Sequence, residues 1–121
     1  MTYRHQDSSC PLRHLSNVLG GKWKLPIICV LSAGGAKRYS IIKRRLGDIT
    51  NVMLAKSLRE LEEAGLVHRE QYNEIPPRVE YSLTDRGREA LPFLTQAAMW
   101  AVNDMKHDGV KVFCDECAEI E

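Results

Sequence analysis

No apolar run in this 121-residue chain approaches the ~18 residues that a membrane-spanning helix requires. The segment Met1 to Ser9 is polar and lacks the apolar stretch of a secretory signal, so a reducing cytoplasm is the expected compartment. Internal repeats, low-complexity tracts and Pro/Gly/Ser-rich linkers are missing as well. Nor is there a nucleophile–base–orienter set, because the four histidines (His5, His14, His68 and His107) are scattered. Gly20-Gly21-Lys22 lacks the upstream glycine and the following Ser/Thr of a phosphate-binding loop. Neither an enzyme nor a bound cofactor is expected. What remains is one ordinary domain, 44% hydrophobic and 27% charged, with room for a single core.

The net charge of +1 conceals an uneven distribution. Between Lys37 and Arg59 seven basic residues (Lys37, Arg38, Lys43, Arg44, Arg45, Lys56, Arg59) stand against Asp48 alone, a balance of +6. From Lys106 onward two lysines face five acids, a balance of −3. A basic middle on a near-neutral chain suits a phosphate-facing patch, although a solvated helical face has the same composition.

Periodicity orders the chain. Pro11 to Leu19 reads as a helix, with Pro11 at its first position and Leu12, Leu15, Val18 and Leu19 at helical spacing. A second helix is expected from about Lys22 to Ser32. It is apolar on most sides and hence buried, and its Pro26 is tolerable only near the start. Tyr39 to Leu46 reads as a third helix, Gly47-Asp48 as a turn, and Thr50 or Asn51 as the cap of a fourth helix reaching Ala64. The period then changes. Val67 to Tyr72 and Val79 to Leu83 read as strands joined by Asn73 to Arg78. Thr84 can cap a last helix to about Lys106, which Pro92 should kink.

Two helices joined by a glycine turn and followed by a hairpin give the order of a winged helix-turn-helix, in a mainly α chain with a small β-hairpin wing. The major groove of DNA admits one helix while the preceding helix braces it across the backbone. Leu54, Leu58 and Leu61 fall on one face, leaving Thr50, Asn51, Ala55, Lys56 and Arg59 on the other. Thr and Asn can reach base edges, Lys56 and Arg59 can reach phosphate or guanine, and Arg78 on the hairpin can grip phosphate or a narrow minor groove.

The chain resembles the HxlR-type family of winged-helix regulators over roughly Cys10 to Trp100. The resemblance rests on Cys10-Pro11, Gly20-Gly21-Lys22-Trp23-Lys24, Lys37-Arg38-Tyr39, Ile49-Thr50 with Met53-Leu54, Leu58-Arg59-Glu60-Leu61-Glu62 and Gly65-Leu66-Val67. It continues through Pro76-Pro77-Arg78-Val79-Glu80-Tyr81-Ser82-Leu83-Thr84, the most specific stretch. Val52 departs from it, since members often carry Lys or Arg there. The resemblance implies a transcription regulator that binds double-stranded DNA as a homodimer through its N- and C-terminal helices. Its DNA contacts would come from Lys37, Arg38, Tyr39, Thr50, Asn51, Lys56, Arg59 and Arg78.

The last helix supports a homodimer independently, being apolar over more than one stripe. A two-fold dimer spaces its recognition helices about one DNA turn apart, ~34 Å, and predicts an inverted-repeat operator. The expected organisation is a flexible arm over residues 1–9, the regulator domain over 10–106, and an acidic tail over 107–121. An adaptor that kept this fold without DNA would have no use for phosphate-facing Lys and Arg.

Four cysteines complete the inventory. Cys29 belongs to the apolar second helix and is expected to pack there. Cys10 precedes Pro11 at a helix N-terminus, where the positive end of the helix favours thiolate. The family resemblance implies that a Cys-Pro here serves some members as a thiol switch toward an oxidant or small electrophile. Cys114 and Cys117 form a C-x-x-C in the acidic tail, with three readings open: a switch partner for Cys10 of the other chain, a metal site completed by His107 or Cys10, or inert thiols.

Overall fold

The computed structural model describes residues 9–112. Along the chain run α1 (Pro11–Leu19), α2 (Lys24–Ser32), β1 (Lys37–Arg38), α3 (Tyr39–Leu46), α4 (Asn51–Glu63), β2 (Val67–Tyr72), β3 (Arg78–Leu83), α5 (Asp85–Arg88) and α6 (Leu91–His107). The expected mainly helical chain with a β wing is what is observed. Helix α2 is its hub. Ile27, Ile28, Val30 and Leu31 are all buried, which requires neighbours on more than one side of the helix. Those neighbours are Ile42 of α3, Leu54, Leu58 and Leu61 of α4, Val67 and Leu83 of the sheet, and Leu94 of α6. Pro26 lies in the first turn of α2, where its missing N–H has no helical partner to lose.

The sheet is larger than a hairpin. Its three antiparallel strands run in the order β1-β3-β2. Strand β1 pairs Lys37 with Tyr81 and Arg38 with Glu80, and β2 pairs with β3 from Val67–Leu83 to Tyr72–Arg78. Two residues are too few to carry an alternating pattern, so β1 leaves no periodic trace in the sequence.

The C-terminal segment corrects a second expectation. It is not one helix kinked at Pro92 but two helices, with Pro92 in the first turn of α6. A continuous helix would set the Pro92 ring against the carbonyl four residues earlier, so the chain breaks and restarts. Thr84 does cap as expected: its hydroxyl accepts from Gly87 N at 3.0 Å and donates to Gly65 O at 2.6 Å, tying α5 to the end of α4. Gly87 packs so tightly there that a Cβ would lie 2.2 Å from the carbonyl oxygen of Leu66.

That close approach generates a prediction. Gly87→Ala should cost about 2 kcal/mol, as overpacking typically does, and lower Tm by on the order of 10 °C in thermal melts. An unchanged melting temperature would show that α5 moves aside without cost.

Candidate nucleic-acid interface

The turn between α3 and α4 is built from four residues with separate tasks. Gly47 takes φ 78°, a left-handed conformation that a side chain would resist. Asp48 follows, and Ile49 is buried, anchoring the turn to the core. Thr50 is the N-cap of α4, its hydroxyl accepting from Met53 N at 3.1 Å. Thr50, not Asn51, therefore caps, and Asn51 becomes the first helical residue.

Helix α4 buries Leu54, Ser57, Leu58 and Leu61. Lys24 of α2 reaches Glu60 at 3.2 Å, a partly buried ion pair that joins the two helices on the protein side. The opposite arc, comprising Asn51, Val52, Ala55, Lys56 and Arg59, is exposed. Among the described residues neither Lys56 nor Arg59 forms an ion pair. Val52 is 76% exposed, and it offers an apolar surface where a cation would be familiar.

Five of the residues expected to touch DNA hold contacts within the protein: Thr50 through its cap, Asn51 through Tyr39, and Lys37, Tyr39 and Arg78 themselves. The Lys37 amine donates to the carbonyls of Ala33 and Gly35, bracing the turn after α2. The Tyr39 hydroxyl reaches across the motif to Asn51, lying 3.0 Å from its backbone oxygen and 3.3 Å from Oδ1. Burial, with neighbouring Tyr81 adding to it, raises the Tyr39 phenol above the ordinary value of 10.0, so it is a protonated donor at neutral pH.

Arg78 departs furthest from expectation. It is not a projecting charge at a loop tip but the first residue of β3, paired in register with Tyr72. Its guanidinium stacks on the Tyr72 ring, 4.2 Å from the centroid. It also lies 3.3 Å from Glu74 and 3.2 Å from Glu80. The Nε contact with Glu80 is an ion pair without hydrogen-bond geometry, since that nitrogen is buried and unsatisfied. Glu70 and Glu80 face each other across the strands. Two opposed carboxylates repel, and Arg78 offsets that repulsion, while the His68 ring lies 2.7 Å from Glu70. Arg78 thus shapes the wing from inside.

Arg38 is exposed on β1 beside α3. Two further cations, Arg44 and Arg45, are exposed in the last turn of α3. The run Lys43-Arg44-Arg45 marks them in the sequence as cations without assigning either a contact. The wing loop also presents Ile75 fully to solvent, a residue with no periodic signal.

Cys10 and Cys29 lie where the sequence places them, and what the structure adds is the depth of their burial. Cys10 is the N-cap residue of α1, as its position before Pro11 implies, but it is 0% exposed and makes no side-chain cap. Reactive thiols are partly accessible, and Cys10 as placed is not. Cys29 packs half-buried against the core. Cys114 and Cys117 lie outside the described residues. His107 is exposed at the end of α6. Among the described residues no three His, Cys, Asp or Glu side chains come together to hold a metal ion.

The profile of the HxlR-like helix-turn-helix family matches residues 18–109. An uncharacterized HTH-type transcriptional regulator of Methanothermobacter thermautotrophicus is 46% identical over 91 residues, covering 75% of this chain and 69% of that protein. Among solved structures, the redox regulator HypR in its oxidized form superposes with a TM-score of 0.72 at 42% identity, over 78% of this chain and 96% of that one. The putative HTH-type transcriptional regulator ytcD superposes with a TM-score of 0.76 at 40% identity, over 79% of this chain and 97% of its own.

The geometry separates solvent-facing cations from those engaged within the protein. Arg59→Ala and Lys56→Ala should weaken duplex DNA binding, reduce the slope of log affinity against log salt by about 1 each, and leave the melting temperature unchanged. Lys37→Ala should leave that slope intact, because its amine serves the turn. Fluorescence anisotropy at several salt concentrations checks all three, and an unaltered slope for both arc variants would place the interface elsewhere.

Proposed function

The chain belongs to the HxlR-like helix-turn-helix family of transcription regulators, and from that premise we propose that it binds an inverted-repeat operator as a homodimer, with α4 in the major groove of each half-site. The observation that carries this reading is the α4 arc of Asn51, Val52, Ala55, Lys56 and Arg59, solvent-facing and, among the described residues, without ion pairs, on a helix whose other side is committed to the core. Lys56, Arg59, Arg38 and Arg44 supply phosphate affinity. Thr50 and Asn51 at the helix start are within reach of base edges, and Val52 suits the methyl group of thymine. The wing, held rigid by Arg78, lies against the adjoining backbone or minor groove.

The homodimer is supported by what α1 and α6 leave uncovered. Phe93, Met99 and Trp100 of α6 are 42%, 43% and 69% exposed, and Leu12 of α1 is 64% exposed. Only Leu94 and Val102 of α6 are buried within the chain. A second copy would cover this surface, leaving residues 10–106 as the regulator domain, 1–9 as an arm and 107–121 as a tail. No helix among the described residues is long and apolar enough to cross a membrane, and the cytoplasm is the setting in which such a regulator meets DNA.

A thiol switch at Cys10 is the finer part of the proposal. It is supported by the likeness to HypR, which is a redox regulator, and by the place of Cys10 at a helix N-terminus. An oxidant or electrophile would act as the signal, and Cys114 or Cys117 of the second copy would be the partner thiol. The complete burial of Cys10 favours a second reading, a regulator without thiol control.

Selection from a random duplex library tests the main reading. An inverted repeat with half-sites about one turn, ~34 Å, apart should be enriched, with affinity falling steeply between 50 and 200 mM salt. No enrichment, or salt-independent binding, would contradict it. For the switch, diamide should convert the protein to a covalent dimer on non-reducing gels, and Cys10→Ser should abolish the band. A wild type that remains monomeric there leaves the second reading in place.

A further inference from the structure

We propose that Tyr39 is a positioning residue for sequence recognition: its hydroxyl pins the side-chain amide of Asn51, so that Asn51 presents one fixed edge to the base pair it meets. The proposal rests on α4 being the recognition helix and deepens that reading.

Asparagine is an ambiguous reader of DNA. Its amide carries a donor edge and an acceptor edge, and a half-turn of the terminal torsion exchanges them. That torsion is broad, so an unrestrained exposed asparagine adapts to several bases. Asn51 is exposed at the first position of α4, where no core contact would hold its amide. Its restraint comes from elsewhere. Tyr39 opens α3, and its ring is half-buried against the core, so the hydroxyl is delivered from a fixed platform. That hydroxyl lies 3.0 Å from the Asn51 backbone oxygen and 3.3 Å from Oδ1. The backbone oxygen is fixed within the helix, so the hydroxyl, sharing its single proton between the two oxygens, holds Oδ1 beside a fixed point. One end of the amide is thereby committed inward, and the other is left as the outward edge.

The same bond locks the two helices of the motif across 12 residues of chain, so the reading group and its brace move together. Binding is also less costly when the reading rotamer already exists in the unbound protein. Phenylalanine at position 39 would keep the ring and its packing while removing only the hydroxyl.

The experiment compares wild type, Tyr39→Phe, Asn51→Ala and the double variant. The probes are the duplex recovered from a random library and its set of single-base-pair variants. Asn51→Ala identifies the base pair that Asn51 reads, where discrimination of about tenfold or more is expected from the wild type. Tyr39→Phe should reduce discrimination at that base pair alone to about twofold, with unchanged salt slope and unchanged discrimination at the others. In the Asn51→Ala background, Tyr39→Phe should add nothing, since its effect passes through Asn51.

Full discrimination by Tyr39→Phe would overturn the proposal while leaving α4 as the recognition helix. A uniform loss across all duplexes with a shallower salt slope would also overturn it, making Tyr39 a phosphate contact. Additive effects in the double variant would reduce Tyr39 to a packing role, and an Asn51→Ala variant that reads every base pair normally would remove its basis. Only a wild type that binds no duplex would sink the regulator reading itself.

Discussion

The rotation of α4 about its own axis is the constraint on which the rest depends. Leu54, Leu58 and Leu61 are at most 1% exposed, and truncating such a buried leucine typically costs about 2–5 kcal/mol. The Lys24–Glu60 pair on the same side adds a smaller contribution, since partly exposed ion pairs contribute about 1 kcal/mol or less. Hydrophobic burial therefore decides which way the helix faces, and the ion pair refines it. Once that face is inward, Asn51, Val52, Ala55, Lys56 and Arg59 have only one direction left. The Thr50 cap and the buried Ile49 then set where the helix begins, and the Tyr39–Asn51 bond ties that start to α3.

Much of this was legible in the sequence because the signals are local. Leucines at i, i+4 and i+7 defined the inner face of α4, and the glycines at 47 and 65 marked its surroundings. Alternation in Val79, Tyr81 and Leu83 marked the wing, and the order of the elements suggested the motif. Strand β1 was not legible, since two residues have no period and their pairing partner lies more than 40 residues away in β3. The break between α5 and α6 was half legible: Pro92 announced a disruption, but the tight contact of Gly87 with Leu66 that anchors α5 depends on distant chain.

The candidate site was legible as a set of residue types but not as a set of roles. Lys37, Tyr39 and Arg78 read like Lys56 and Arg59, as polar groups near a DNA-binding motif. Their engagement comes from carbonyls at the end of α2, from a helix 12 residues away, and from a stacked tyrosine and two carboxylates in the wing. Charge patterns show that a cation is present, and tertiary contacts show whether it is already spoken for. Cys10 teaches the same lesson: the N-terminal position was visible in Cys-Pro, while its burial was set by packing that the sequence does not display.

The described surface carries two contrasting regions. Helices α3 and α4 present exposed cations, and helices α1 and α6 leave aromatic and aliphatic side chains exposed. The most direct test of that division is a photo-crosslinking residue placed at Ala55, in the middle of the exposed arc, compared with one at Met99 on α6, each irradiated with the selected duplex. The account predicts protein–DNA crosslinks from position 55 and none from position 99. Crosslinking from 99 with silence at 55 would contradict it, because the leucine-directed orientation of α4 would then not be what presents the protein to DNA.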